Sequence, residues 1–187
     1  MLAHSMRRMF NTENQWKPSW LERTALACDL LSPAIQSGDV ARLSDIGCGD
    51  QKLRRLVVER GWSVLYQGFD LLPQSDDVRA LNLDLESPPG RADVATVLGV
   101  LEYVDDIGAC LQRLAVHAPL MVVSHTLRDG ETFGEPEQQA RGWKNHLYAR
   151  EFHELLSANA WNPIAERTTT NGRTRLWMAE RADLGLR

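Results

Sequence analysis

Asp45, Gly47, Gly49 and Asp70 have the types and the spacing of a nucleoside cradle. In Asp45-Ile46-Gly47-Cys48-Gly49-Asp50 the glycines let backbone approach a ligand closely, and a helix starting just after them offers unpaired amide donors. Asp70 follows Gly49 by about twenty residues, at the close of an apolar run, where a carboxylate can accept hydrogen bonds from both hydroxyls of a ribose. Asp84, in Leu83-Asp84-Leu85, closes the next extended stretch and taken alone reads as a turn residue or a helix cap. Two histidines have the chemistry to move a proton: His125, directly after a fifth apolar run, and His146 in Trp143-Lys144-Asn145-His146. Each also has a plain structural reading, His125 as a strand-end residue bonded to local backbone and His146 as a packing residue before the next helix. Cys48, within the glycine turn, reads as a small packing residue rather than a nucleophile.

These residues need a scaffold, and the chain spells one out. Pro18 and Ser19 open a helix whose apolar positions (Trp20, Leu21, Thr24, Ala25, Cys28, Leu31) recur near helical spacing, and Gly38 closes it. A strand over 40–46 runs into the glycine turn and a helix carrying Leu53, Leu56 and Val57, which stops before Gly61. Strands over 64–69 and 78–83 each lead to a carboxylate. A fourth, over 93–98, passes through Gly99 to Glu102-Tyr103-Val104-Asp105-Asp106, which caps a helix carrying Ile107, Cys110, Leu111 and Leu114. The fifth, over 120–123, is nearly all apolar, as a parallel strand covered on both faces must be. Residues 124–148 break the pattern and are long for a connection, which marks them as a functional loop or lid. A helix over 149–160, with Phe152, Leu155 and Leu156 inward, precedes two extended runs, 164–169 and 174–179, joined by Asn171-Gly172, a strong hairpin signal. Strands alternating with helices make an open, doubly wound α/β sheet, and its ligand crevice lies beyond the carboxyl ends of the strands. Residues 1–17 read as an N-terminal extension and 18–187 as a single domain.

In this order of motifs, over residues 41–181, the chain resembles the class I S-adenosylmethionine-dependent methyltransferases of the small-molecule type. The resemblance implies a Rossmann-like sheet of seven strands, the first five parallel and the last two an antiparallel hairpin. It implies S-adenosylmethionine as cofactor, contacted at Asp45, Gly47, Cys48, Gly49, Asp70, Leu71, Asp84, Leu85, Leu98, Gly99 and Tyr103, with Asp70 on the ribose and Asp84 on the adenine amino group. Val97-Leu98-Gly99-Val100-Leu101-Glu102-Tyr103 looks like the family's fourth-strand motif, commonly followed by Glu-His. Tyr103 replaces that histidine, which removes a proton carrier but leaves a ring suited to a sulfonium. Asp50-Gln51 stands where a third small residue is common. Ribose recognition by Asp70 would equally suit a nicotinamide-dependent oxidoreductase. Against that reading, Lys52 occupies the place of the third dinucleotide glycine, and a closing hairpin replaces a parallel crossover.

The sulfonium already activates the methyl group, so alignment is the main task and a general base is optional. For an oxygen or nitrogen acceptor, His125 and His146 are the candidate catalytic residues, bordering the acceptor with loop 124–148 above it. A second kind of reading is a catalytically silent S-adenosylmethionine-binding module that regulates a partner, made plausible by Tyr103. Nucleic acid is disfavoured as acceptor, because the net charge is −4 and the Asn/Asp-Pro-Pro-aromatic motif of base methyltransferases is replaced by Gly99-Val100-Leu101. The three cysteines lack any paired or metal-ligand spacing, which predicts neither a disulfide framework nor a metal site and fits a reducing cytoplasm. Arg7 and Arg8 precede polar Asn11 to Gln15, unlike a secretory signal, and no apolar run reaches membrane-spanning length, so no membrane insertion is expected.

Overall fold

Strand β4 (Val94–Leu98) is at the middle of the architecture because its run of small and branched apolar residues can be buried on both faces. The computed structural model describes residues 18–129 and 141–182. In chain order the elements are α1 (Pro18–Gln36), β1 (Arg42–Ile46), α2 (Lys52–Glu59), β2 (Leu65–Asp70), β3 (Val78–Ala80), β4, α3 (Ile107–His117), β5 (Leu120–Thr126), α4 (Ala149–Ala158), β6 (Trp161–Thr168) and β7 (Thr174–Arg181). They form one seven-stranded sheet of order β3-β2-β1-β4-β5-β7-β6. Neighbours among β1 to β5 are parallel, whereas β7 pairs antiparallel with both β5 and β6. The expected doubly wound sheet with a closing hairpin is the observed one.

Two apolar layers hold the sheet. On one face α1 contributes Ala27, Cys28 and Leu31 and α2 contributes Leu53 and Val57 against Leu43, Val94, Val122 and Met178. On the other, α3 supplies Ile107, Cys110, Leu111 and Leu114 and α4 supplies Phe152 and Leu156 against Val97, Val123 and Trp177. The alternation of strand side chains divides the layers: even-numbered β5 residues face α1 and odd-numbered ones face α4. Burying Trp161, Trp177 and Phe152, each about 1% exposed or less, contributes roughly 2–3 kcal/mol apiece.

Several boundaries differ from the sequence reading for local reasons. Strand β5 runs to Thr126 rather than stopping at residue 123, because its antiparallel ladder with β7 continues through His125↔Arg175 to Thr126↔Thr174. Strand β3 is only Val78–Ala80, so Asp84 lies in a turn beyond the strand. Strand β6 begins at Trp161, ahead of Pro163, which is tolerated because β6 is an edge strand with a register shift between Pro163 and Ala165. The hairpin loop is longer than an Asn-Gly pair: Gly172 N–H donates to Thr169 O at 2.8 Å, and the Asn171 side chain accepts from Arg173 N–H at 3.0 Å. The whole expected extension 1–17, the middle of the expected loop, 130–140, and the end of the expected domain, 183–187, lie outside the described residues.

Gln51 explains the unusual Asp50-Gln51 pair. It caps α2 in the left-handed region at φ 60°, a conformation that costs a side-chain-bearing residue about 1 kcal/mol. Its amide compensates by donating to Ser75 Oγ at 2.9 Å and Asp77 Oδ1 at 3.2 Å, fastening the start of α2 to the loop after β2.

Candidate active site

The strand order reverses direction between β1 and β4, and a cavity of about 610 Å³ opens beyond their carboxyl ends, where such a switch leaves a crevice. Its floor is the 45–49 turn. Gly47 and Cys48 N–H both donate to Phe69 O, at 2.7 and 3.0 Å, which locks the turn to the end of β2. Gly47 has φ +71°, and a Cβ there would come within 2.3 Å of Val100 Cγ2, so both backbone and space demand glycine. Gly49 also has a positive φ, but a Cβ on it would meet nothing within 4 Å. Its backbone is bare toward open space in the cavity wall.

The carboxylates around this floor differ in what they have left to offer. Buried Asp45 accepts from Tyr66 Oη at 2.6 Å and Thr96 Oγ1 at 2.9 Å, and desolvation pushes its pKa up to about 6 against those two hydrogen bonds. Asp45 therefore organises the strand ends. Asp70 holds Gly49 N–H on Oδ2 at 2.8 Å and Leu72 N–H on Oδ1 at 2.9 Å, and burial raises its pKa as well. Each Asp70 oxygen keeps a second lone-pair direction, so the carboxylate is pre-oriented for a paired diol. Asp84 accepts Asp105 N–H at 2.7 Å, tying the turn after β3 to the entrance of α3. Asp50 is ion-paired to Lys52 and Arg55.

Ten of the eleven residues expected to contact the cofactor line this cavity: Asp45, Gly47, Cys48, Gly49, Asp70, Leu71, Asp84, Leu98, Gly99 and Tyr103. Leu85 does not. The turn in which Leu85 N–H donates to Asn82 O leaves its side chain 77% exposed and off the wall.

The histidines are a correction too, since neither lines the cavity. Because β5 extends to Thr126, His125 is inside the strand on its α4 face, stacked on Phe152 at 4.7 Å. Its Nε2 accepts Leu147 N–H at 3.2 Å, and burial lowers its pKa, keeping the ring neutral. The neighbouring side chains on the opposite face do serve the site: Ser124 Oγ accepts Gly99 N–H at 2.9 Å, and Thr126 lines the cavity. His146 is bonded through Nε2 to Leu127 O at 3.1 Å and packs beside Trp143, with 5.5 Å between rings.

Beyond the expected cofactor contacts, α1, the turn after β4 and the 141–144 segment add residues to the wall. Trp20, Arg23, Glu102, Arg141 and Trp143 all border the cavity. Arg23 comes from α1 and lies over Gly99, where a Cβ would meet its Nη1 at 2.3 Å. Glycine at the end of β4 is accounted for by its φ of +71°, since the flexible end of Arg23 could move aside. Trp143 Nε1 donates to Tyr103 Oη at 3.1 Å, so the segment after the undescribed loop residues meets the fourth-strand motif over the cavity. Asn145 secures it: its side-chain amide donates to Leu101 O at 3.0 Å and Val104 O at 2.7 Å. Glu102 carries a sequence signal, as the residue before Tyr103 in the fourth-strand motif. Arg23 carried none, being one polar residue on a partly exposed helix.

Comparison with known proteins agrees with this geometry. A family described as "Methyltransferase domain" matches residues 19–168. The chain belongs to it. Its structural relatives include class I S-adenosylmethionine-dependent methyltransferases. The N-methyltransferase NodS from Bradyrhizobium japonicum WM9, solved with S-adenosylhomocysteine, superimposes with TM-score 0.65 at 15% identity, over 97% of this chain and 98% of that one. Magnesium protoporphyrin IX methyltransferase from Synechocystis PCC 6803 gives 0.64 at 15% identity, over 96% and 94%. A putative methyltransferase from Haloferax volcanii, solved in complex with the Trm112 methyltransferase activator, gives 0.65 at 12% identity, over 90% and 100%. No curated relative matches the sequence of this methyltransferase domain. Among its described residues no helix is long and apolar enough to cross a membrane, and no group of His, Cys, Asp and Glu is placed to hold a metal ion. Cys28, Cys48 and Cys110 are buried free thiols.

Proposed function

We propose that this domain binds S-adenosylmethionine in the cavity and transfers its methyl group to an oxygen or nitrogen of a small-molecule acceptor. The observation that carries the reading is Asp70, held by Gly49 and Leu72 N–H beside a bare glycine backbone at the topological switch. The residues present fit the group. Asp70 takes the ribose diol, Asp84 the adenine amino group, and the Gly47–Gly49 backbone the methionine portion. The Arg23 guanidinium, over Gly99, is the cation available for the methionine carboxylate. When bound, the cofactor supplies a methyl group already activated by its sulfonium. The protein's part is to hold the acceptor in line with the methyl group and exclude water, which can account for about 7–11 kcal/mol of a barrier.

By sheet order the wall beyond β4 and β5 lies on the far side of β1 from Asp70, and this is the acceptor end. Tyr103, Thr126, Arg141 and Trp143 border it. Residues 141–148, pinned by Asn145, cover the acceptor, while 124–126 belong to β5. An acidic chain and a cavity of this size favour a small acceptor over nucleic acid. Magnesium protoporphyrin IX methyltransferase, named for a small acceptor, supports the same reading. Three buried free thiols suit a reducing cytoplasm.

The test is methyl transfer itself. Incubation with S-adenosylmethionine and pooled small hydroxyl- and amine-bearing metabolites should produce S-adenosylhomocysteine and a methylated product together. Tight cofactor binding with no transfer to any pool would favour the silent module instead.

A further inference from the structure

Among the described residues other than glycine, Gln51 and Ala160 have a left-handed backbone, and Gln51 is the one at the rim of the cavity, between Asp50 and Lys52, which line it. Its φ of 60° is costly for a residue with a side chain, and such a conformation persists where the contacts around it dictate it. Those contacts form a clip. Gln51 Nε2 donates to Ser75 Oγ at 2.9 Å and Asp77 Oδ1 at 3.2 Å, while Gln51 Oε1 accepts from Arg54 Nη1 at 2.9 Å. Arg54 in turn is ion-paired to Asp77. The start of α2 is thereby joined to loop 71–77, which connects β2 to β3.

Loop 71–77 serves the cavity. Its Leu71, Leu72 and Gln74 line the wall at the Asp70 end, and Leu72 N–H is one of the two donors that orient the Asp70 carboxylate, the other being Gly49 N–H. The loop's remaining hydrogen bonds to its flanking strands are Val78 N–H on Ser75 O at 3.1 Å and the Gln67 side-chain amide on Asp77 O at 3.4 Å. Among the described residues, no element outside β2 and β3 reaches the loop by hydrogen bond or ion pair except through Gln51 and Arg54. The turn before α2 and the chain after β2 are therefore bridged twice, within the cavity by Gly49 on Asp70 and at its rim by Gln51 on Ser75 and Asp77. Resting on the reading that the cavity takes S-adenosylmethionine, we propose that Gln51 is a positioning residue for that cofactor: it holds loop 71–77 so that Leu71, Leu72 and Gln74 keep their places in the wall and Asp70 keeps its aim at the ribose diol. Gln51 does not itself line the cavity. Its backbone and its clip pull in opposite directions, since a glycine would relieve the first and abolish the second.

The test separates stability from binding. Thermal unfolding and calorimetric titration with S-adenosylhomocysteine are compared for the full chain as wild type, Gln51→Gly, Gln51→Glu and the double variant Gln51→Glu with Asp77→Asn. Gln51→Gly should melt within about 2 °C of wild type or above it, yet bind S-adenosylhomocysteine about five- to tenfold more weakly. Gln51→Glu removes the donor and sets a carboxylate against Asp77, and should lose at least as much affinity. Adding Asp77→Asn returns a donor from the opposite side of the clip and should bring the affinity back to within about twofold of wild type. A Gln51→Gly affinity within about twofold of wild type overturns the proposal, as does a melting temperature lowered by more than about 2 °C alongside the lost affinity, or a double variant as weak as Gln51→Glu. Wild type that does not bind S-adenosylhomocysteine brings down the function proposed above and this inference with it, whereas wild-type binding that Gln51→Gly leaves unchanged brings down this inference alone.

Discussion

Asp70 and Asp45 show how two carboxylates on adjacent strands come to do different work. Asp70 keeps acceptor capacity toward the cavity, so Asp70→Ala should weaken S-adenosylhomocysteine binding by about 2–4 kcal/mol in calorimetry, through the loss of two charge-assisted hydrogen bonds. Asp45 has its oxygens occupied by Tyr66 and Thr96, and its pKa is pushed up to about 6 by burial. A carboxyl whose folded pKa exceeds its unfolded value near 4 makes the fold bind more protons between those values. Its contribution is most favourable below that window and falls as pH rises through it. Asp45→Asn should therefore raise stability at pH 7 by on the order of 2–3 kcal/mol, read by denaturant unfolding, with the gain disappearing below about pH 4. A gain that persisted at low pH would point to packing instead. Asp70 was legible because a fixed spacing from a glycine turn suffices to place it. The anchoring of the Glu102 side chain was not, because it depends on Thr126 N–H, which only the pairing of β5 with β7 brings into position.

At the level of elements, three residues of strand length change the reading of a side chain. Ending β5 at residue 123 puts His125 in a loop over the cavity, whereas the observed end at Thr126 turns it onto the opposite face among Phe152 and Trp177. Strand parity cannot be read until the end of the ladder is known, and that end is set by Thr174, about fifty residues away. His125→Ala should accordingly lower the melting temperature, removing a ring at 0% exposure, at a cost of about 2–4 kcal/mol, and leave S-adenosylhomocysteine affinity near wild type. An unchanged melting temperature with lost methyl transfer would restore its catalytic reading. The 141–147 segment is the other element with a testable anchor. Asn145→Ala removes both hydrogen bonds to the 101–104 turn, and amide hydrogen exchange across 141–147 should quicken by about tenfold while the central strands keep their protection. Equal exchange in the variant would show that Trp143 and the backbone bonds to Glu102 suffice.

For the whole molecule, the sheet order was open to inference because it follows from alternation: apolar runs the length of strands, each followed by a helix with an apolar stripe, admit few right-handed windings. The full wall of the cavity was not, since it is assembled from α1, the turn after β4 and the segment near Trp143, pieces far apart in sequence and joined only by tertiary contacts. The cavity at the topological switch is proposed to be an S-adenosylmethionine site organised by Asp70. Calorimetric titration of wild type and Asp70→Ala with S-adenosylhomocysteine, and of wild type with NADH, tests it most directly. The account predicts one S-adenosylhomocysteine per chain, affinity reduced by about thirtyfold or more in the variant, and no heat from NADH. Saturable NADH binding without S-adenosylhomocysteine binding, or equal S-adenosylhomocysteine affinity in wild type and variant, would contradict it.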